Sequence, residues 1–232
     1  EFEKISEDFW GNLTWPEGHR FAGELIRLRD DQVEVINKFL ENPQSLQEIA
    51  TGFGKTITTA TLSKICEKYG RTIVIVPNKS LVEQTEEDFV NCRLDVGVYY
   101  GDRKMIGHQH TVCTWQSLNV LDKKSKNWDV EQALTLAEFL EGVETVIVDE
   151  VHMAQAEVLR SLLTKNISNA PIRWGLTGTV PKEDFNRVTL TVSLGDVAHK
   201  LAAWELQDRG VLANCHIKQD SICSRSNLLG HN

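Results

Sequence analysis

The sequence predicts an α/β fold with a mostly parallel central sheet covered by helices on both faces. Two observations carry that prediction. Runs such as Thr72–Val76 and Thr145–Val148 are apolar at successive positions, as in strands buried on both faces. Segments with helical spacing of apolar residues separate them, so strands and helices alternate as in βαβ units. A chain of 232 residues can form one large domain or two small ones.

Residues 1–27 hold no strand or helix period; Phe2, Phe9, Trp10, Trp15 and Phe21 are interleaved with acids, glycines and Pro16. Such aromatics either stack on bases or pack an arm onto the domain body, and packing is favoured. A helix opens at Leu28–Gln32, with Asp30 as its N-cap, and carries Val33, Ile36, Phe39 and Leu40 to a stop at Asn42-Pro43. Leu46–Ile49 is a strand and Ile57–Lys68 a helix. Thr72–Val76 is a strand, Asn78 caps the helix Lys79–Val90, and Asp95–Tyr100 is the next strand. Arg103-Lys104 falls in a loop, Thr111–Thr114 is a short strand, and Leu121–Asp129 reads as an exposed basic loop. Ala133–Leu140 is a helix ended by Gly142, Thr145–Val148 a strand, Ala154–Leu163 a helix and Ile172–Leu176 a strand. Asp196–Arg209 reads as a helix capped by Gly210, and Val211–Ile217 as the last strand.

Chemistry concentrates at the strand ends. Ala50-Thr51-Gly52-Phe53-Gly54-Lys55-Thr56, between a strand and a helix, has the composition of a phosphate-binding loop. Its backbone N–H groups and the helix N-terminus suit phosphate oxygens, Lys55 suits the β- and γ-phosphates, and the Thr56 hydroxyl suits Mg²⁺. Ile49 stands where the general pattern has glycine. Val146–Val148 delivers Asp149 and Glu150 to the same edge, Asp149 to hold Mg²⁺ and Glu150 to orient the attacking water. His152 follows two residues on, where it could relay nucleotide state. Upstream, the Gln32 side chain either reads an adenine edge or is an ordinary solvated helix residue.

These pieces, in order, resemble the first RecA-like domain of a superfamily-2 DExH helicase or translocase. Leu28–Gln32 resembles the adenine-reading segment, Ala50–Thr56 motif I in a form that does not require the missing glycine, and Val76–Leu81 with Gln84 motif Ia. Thr114–Leu118 resembles the segment that touches the nucleic-acid backbone, Asp149–His152 motif II, and Leu176–Thr179 motif III. The resemblance implies a three-layer RecA-like P-loop fold over about residues 28–217, preceded by an arm or the end of another domain and followed by a linker at 218–232. It implies ATP and Mg²⁺ as cofactors, with Arg29, Gln32 and Thr51–Thr56 at the nucleotide, Glu150, Asp149 and Lys55 catalytic, and Thr56 and Asp149 at the metal. His152, Thr177 and Thr179 would couple hydrolysis to movement. Asn78, Lys79, Arg103, Lys104, Thr114, Trp115 and Gln116 would face DNA backbone, although Trp115 also fits the core. Asn78 stands where the family often has threonine.

The family's second RecA-like domain, which carries its arginine fingers, has no motif here, and the chain does not begin with Met; it reads as a fragment with weak turnover. Competing readings are a restriction-enzyme motor subunit, an RNA helicase and an ATP-binding switch without motor action. The net charge of −8 argues against a surface basic all over but permits a local basic groove. The five cysteines form no C-x-x-C pair, which disfavours zinc or a disulfide framework and favours an intracellular, cytoplasmic setting (a host cytoplasm if phage-encoded). No apolar run reaches the ~20 residues of a membrane span.

Overall fold

A computed structural model describes residues 1–125, 134–153, 161, 165, 167, 169–179 and 184–213. Its strands are β1 (Gln44–Ile49), β2 (Arg71–Val76), β3 (Val96–Tyr100), β4 (Arg103–Lys104), β5 (His110–Thr114), β6 (Val143–Val148), β7 (Ile172–Thr177) and β8 (Val197–Leu201). The helices are α1 (Asp30–Glu41), α2 (Lys55–Cys66), α3 (Lys79–Asn91), α4 (Trp115–Ser125), α5 (Leu136–Phe139), α6 (Asp184–Leu194) and α7 (Ala203–Asp208). One sheet runs β4-β3-β5-β2-β6-β7-β1-β8, and every pairing is parallel except β3 with β4.

Strand alternation builds three layers, because successive side chains point to opposite faces. Ile49, Val74, Val76, Val98, Val112, Ile147, Trp174 and Leu176 share one core with α1, α2 and α3. Leu46, Ile73, Ile75, Cys113, Val146 and Val148 share the other with α4, α5 and α6. Val74 and Ile75 are both fully buried although they face opposite ways, which is why these runs carry no polar alternation.

The first 27 residues are an arm packed on the first of these cores. Trp10 is buried and its Nε1 donates to Thr61 Oγ1 at 3.2 Å. Phe2 lies 5.9 Å from Trp174 ring to ring, and Ile5 exchanges two hydrogen bonds with the Asn37 side chain. A single antiparallel bridge, Thr14 to Leu25, closes the segment back on itself.

Several expectations are corrected. Residues 196–209 are not one helix: β8 pairs in parallel with β1, and only Ala203–Asp208 is helical. Residues 211–213 are not strand; the N–H groups of Val211 and Leu212 bond back to the Leu206 carbonyl, closing α7. The expected basic loop begins inside α4, which runs on to Ser125 because Leu121 continues the buried face of Leu118. The pair Arg103-Lys104 forms a two-residue strand with Tyr99 and Tyr100. The N-cap of the first helix is Arg29 rather than Asp30. Helix α6 has no counterpart in the sequence reading, and the helix at 133–140 is described as helical only over Leu136–Phe139. The expected helix at 154–163 lies outside the described residues apart from position 161, as do residues 214–217 and the tail beyond them.

Candidate functional site

The site is built by strand order. β7 lies between β6 and β1, so the loops after these three strands meet at their carboxyl ends. This is where ligands bind in open parallel sheets.

The loop after β1 turns through Gly52 (φ 86°) and Gly54 (φ 87°). Gly54 is the N-cap of α2, in a left-handed conformation that favours glycine. A Cβ on it would also lie 2.9 Å from Gln32 Nε2. Phe53, at the crown of the loop, is fully buried, and its carbonyl accepts bonds from Arg29 Nη2 and, at 3.4 Å, from Gln32 Nε2. Arg29 is in turn held by both carboxylate oxygens of Asp31 at 3.0 Å, and Gln32 Oε1 accepts the Arg29 N–H at 3.1 Å. The Leu28–Gln32 segment thus clamps the loop. Asp31, which the sequence reading passed over, is the buried anchor of that clamp.

Lys55 opens α2 and crosses to Glu150, where its Nζ pairs with Oε1; the two side chains are 8% and 15% exposed. Asp149 is buried, and one of its carboxylate oxygens accepts the Glu150 N–H at 2.8 Å. Burial pushes its carboxyl up to about 6, with the Lys55 charge pulling it back and Glu150 adding to the rise. Glu150 itself has φ 49°, a left-handed backbone on a non-glycine residue that costs of order 1–3 kcal/mol. That bend carries the chain off β6 into the short turn Val151–Met153.

His152 returns towards β7. Its Nδ1 lies 2.8 Å from Thr177 Oγ1 and 3.3 Å from Glu150 Oε2. The Thr177 hydroxyl donates its one proton to the Thr179 carbonyl at 2.8 Å, so His152 Nδ1 must be the donor to Thr177. The Thr179 N–H closes the turn on Thr177 Oγ1 at 3.3 Å. A side chain at Gly178 would start 3.5 Å from Thr51 Oγ1 and 3.9 Å from Glu150 Oε2, so all three loops come together at this glycine.

Beside the loop, a cavity of about 740 Å³ is walled by Trp15 and His19 of the arm, by Gln32, Gly54 and Thr56, and by α3. Trp15 and His19 stack with ring centroids 4.1 Å apart. Asp88 enters the same cavity. Burial raises its carboxyl, with the nearby Thr56 side chain acting against that rise. Gln84, Asp88 and Asn91 recur at helical spacing on α3, a signal available in the sequence.

The nucleic-acid candidates form a second group at the ends of β2, β5 and β3. Asn78 Oδ1 accepts the Leu81 N–H at 3.0 Å as the N-cap of α3, and the exposed Lys79 reaches Glu83 at 3.6 Å. Thr114 is buried and its hydroxyl meets Ser117 Oγ at 3.0 Å, while Gln116 Nε2 donates to the Pro77 carbonyl at 3.4 Å. Arg103 is held bidentately by Glu86 at 2.7 Å, and the Lys104 ammonium sits 4.3 Å from the Tyr99 ring centre. Trp115 is 6% exposed and belongs to the core with Leu118 and Leu121, so it offers no open face for stacking.

The sheet and its loop-lined edge define a RecA-like phosphate-loop domain. Within that class, the chain belongs to the family described as "Type III restriction enzyme, res subunit", which it matches over residues 25–182. It is 28% identical over 228 residues to the XPB helicase/translocase subunit of transcription and DNA repair factor IIH from Danio rerio, covering 92% of this chain and 28% of that protein. It is 22% identical over 197 residues to the ATP-dependent DNA helicase uvsW of Enterobacteria phage T4, covering 80% of this chain and 36% of that one. A solved UvsW structure from the same phage superposes with a TM-score of 0.66 at 20% identity, over 86% of this chain and 69% of that chain. The chain thus spans about a third of the length of these curated relatives.

Proposed function

We propose that this chain is the nucleotide-binding motor domain of an ATP-dependent DNA helicase or translocase that works on branched or single-stranded DNA. The observation that carries the reading is the unbroken run of side-chain contacts Lys55–Glu150–His152–Thr177, which ends on the main chain of Thr179. It joins the phosphate loop, the acidic strand end and the next strand's loop, which are the parts needed to sense and hydrolyse a triphosphate.

In this reading the N–H groups of the Gly52–Thr56 loop and Lys55 hold the β- and γ-phosphates. Arg29 and Gln32 stand at the adenine end of the loop, in the cavity beside Gly54. An incoming γ-phosphate competes with Glu150 for the Lys55 ammonium. Once released, the Glu150 carboxylate orients and polarises the attacking water. Its departure from Lys55 also changes what His152 faces, and Thr177 and Thr179 carry that change to the neighbouring loop.

Mg²⁺ fits the donors present. Thr56 and Asp149 supply hard oxygens, and among the described residues no group of three or more acidic, histidine or cysteine side chains forms a protein-only metal cage. Mg²⁺ is ordinarily held by one or two carboxylates together with substrate phosphates and water. When bound, it would neutralise charge on the phosphate oxygens.

DNA is the proposed partner of the second group of residues. Lys79, Gln116, Thr114, Asn78, Arg103 and Lys104 would contact its backbone, with salt-dependent affinity and little sequence preference. A second RecA-like domain of a longer protein would supply arginine fingers, worth roughly 10³–10⁵ in turnover for related enzymes. Cys66, Cys92 and Cys113 are free, buried thiols, which suits a reducing intracellular compartment. No helix among the described residues is long and apolar enough to cross a membrane.

The test is ATP hydrolysis by the longer protein with and without single-stranded or forked DNA, and with Lys55→Ala as control. DNA-stimulated turnover that Lys55→Ala abolishes is expected. If no nucleic acid stimulates turnover, the motor reading fails.

A further inference from the structure

The short helix α7 has no part in the reading above, yet the segment around it touches the phosphate loop twice. Where β8 ends, the Leu201 carbonyl accepts the Ala50 N–H at 3.0 Å. Beyond α7, Gly210 (φ 72°) turns the chain back, and the N–H groups of Val211 and Leu212 both bond the Leu206 carbonyl, at 2.8 and 3.2 Å. The side chains of Val211 and Leu212 are partly buried against the core shared with α1, α2 and α3. Leu212 also reaches the loop itself: a Cβ on Gly52 would lie 2.7 Å from Leu212 Cδ2. Among the described residues, the chain neighbours of Gly52 aside, no other atom comes within 4 Å of that point.

Gly52 and Gly54 both have positive φ, and glycine has more backbone freedom than any other residue. Left to itself, the loop would sample many shapes. Phe53 is fixed through its carbonyl by Arg29 and Gln32. Gly52, one residue earlier, has no side chain of its own to fix it and is met by Leu212 instead. A loop already in its bound shape loses less conformational entropy when phosphate arrives. We propose that Leu212 is a positioning residue that seats on Gly52 and holds the phosphate loop in the shape that takes a nucleotide's phosphates. The inference rests on the nucleotide reading of that loop. Linkage makes the effect reciprocal: whatever factor seating adds to nucleotide affinity, bound nucleotide must add to seating. Lifting residues 211–213 away would weaken the hold on the nucleotide in turn.

The test pairs equilibrium binding of ADP in Mg²⁺ with amide hydrogen exchange on the whole chain, and thermal melting monitors folding. Leu212→Ala should bind ADP roughly fivefold or more weakly, the equivalent of freeing about one residue's backbone. Val211→Ala, beside it on the same core but out of reach of Gly52, should bind as wild type does, although both variants lose packing and melt lower. In wild type, saturating ADP should slow exchange of the Val211 and Leu212 N–H groups, whose bonds to Leu206 report seating, by a factor similar to the affinity lost in Leu212→Ala. That measurement needs no variant, so it decides the case even if Leu212→Ala does not fold. The proposal is overturned if Leu212→Ala binds as wild type, if Val211→Ala loses as much affinity, or if saturating ADP leaves exchange at Val211 and Leu212 unchanged. A wild type that binds no ADP, or binds it as tightly after Lys55→Ala, would overturn the nucleotide reading and the proposal with it.

Discussion

Replacing Lys55 with methionine should destabilise the fold as well as disable the site. Lys55 and Glu150 are 8% and 15% exposed, and Asp149 beside them is 4% exposed. Methionine would fill most of the lysine's volume but leave two adjacent, largely desolvated carboxyl groups with the Glu150 N–H on Asp149 and the His152 imidazole beside Glu150. Removing one partner of a buried ion pair costs about 3–5 kcal/mol. The residual exposure of Glu150 and the nearby His152 place this case at the lower end, about 3 kcal/mol. In a chain of this size that is a fall of roughly 6–12 °C in Tm. The cost should depend on pH. Asp149 already has its carboxyl raised to about 6, and losing Lys55 removes the charge that holds it down. A carboxyl raised in the folded state lends stability at low pH that is lost as pH rises through its folded value. The deficit of Lys55→Met should therefore be largest above pH 7 and shrink as pH falls towards 5. Urea and thermal melts of wild type, Lys55→Met, Glu150→Gln and the double variant at pH 5 and pH 8 would measure it. The double variant should recover at least 1 kcal/mol relative to the sum of the singles, since it removes both charges. Strict additivity, or a Lys55→Met penalty below about 0.5 kcal/mol at pH 8, would refute the argument.

Three further outcomes follow from the structure. Glu150→Gln should keep nucleotide affinity within a few-fold while phosphate release slows by about 10²–10⁴, as for loss of a group that handles the reacting proton; loss of affinity in step with turnover would contradict the role. Gly195→Ala should be severely destabilising by chemical denaturation, because φ is 100° and a Cβ would lie 2.1 Å from the Gln44 carbonyl oxygen, a backbone atom at the start of β1. His110 is fully buried with its Nε2 2.9 Å from Glu67 Oε1, and burial lowers its pKa below 6.5, so stability should fall as pH drops through that value; His110→Gln should flatten the slope between pH 7 and 5.

How much of this was legible in the sequence varies with the kind of signal. Val146–Val148 and Ile73–Val76 declare themselves as strands because they are apolar on both faces, and the glycines of Ala50–Thr56 mark a turn that only a few backbones can make. Asn78 announces itself as a cap and acts as one. The segment 197–201 misleads because Val197 and Leu201, four apart, satisfy a helix and a strand equally. The free edge of β1 decides for the strand, and that edge is invisible to local pattern. Helix α6 hides among β-branched residues: Val188 and Val192 are exposed, and Leu190 and Leu194 supply the buried face. Among the candidate site residues, the residue types could be read but their pairings could not. That Lys55 reaches Glu150, and that His152 reaches Thr177, depends on strand order, which no spacing along the chain reveals. Asp88, on the wall of the cavity beside the loop, looks like solvated surface in the sequence, one acid among several on an amphipathic helix, until α2 is packed against it.

The place of β7 between β6 and β1 also sets a width. Two strand spacings hold the phosphate loop and the acidic pair about 10 Å apart. The ruler is made of main-chain hydrogen bonds on both sides of Arg173–Gly175, and it does not depend on which side chains the three strands carry. Substitution can therefore change what bridges the gap far more readily than it can change the gap. A descendant of this chain could lose Lys55 or Glu150 and still keep a slot of the same breadth, open to whatever polar ligand next happened to span it.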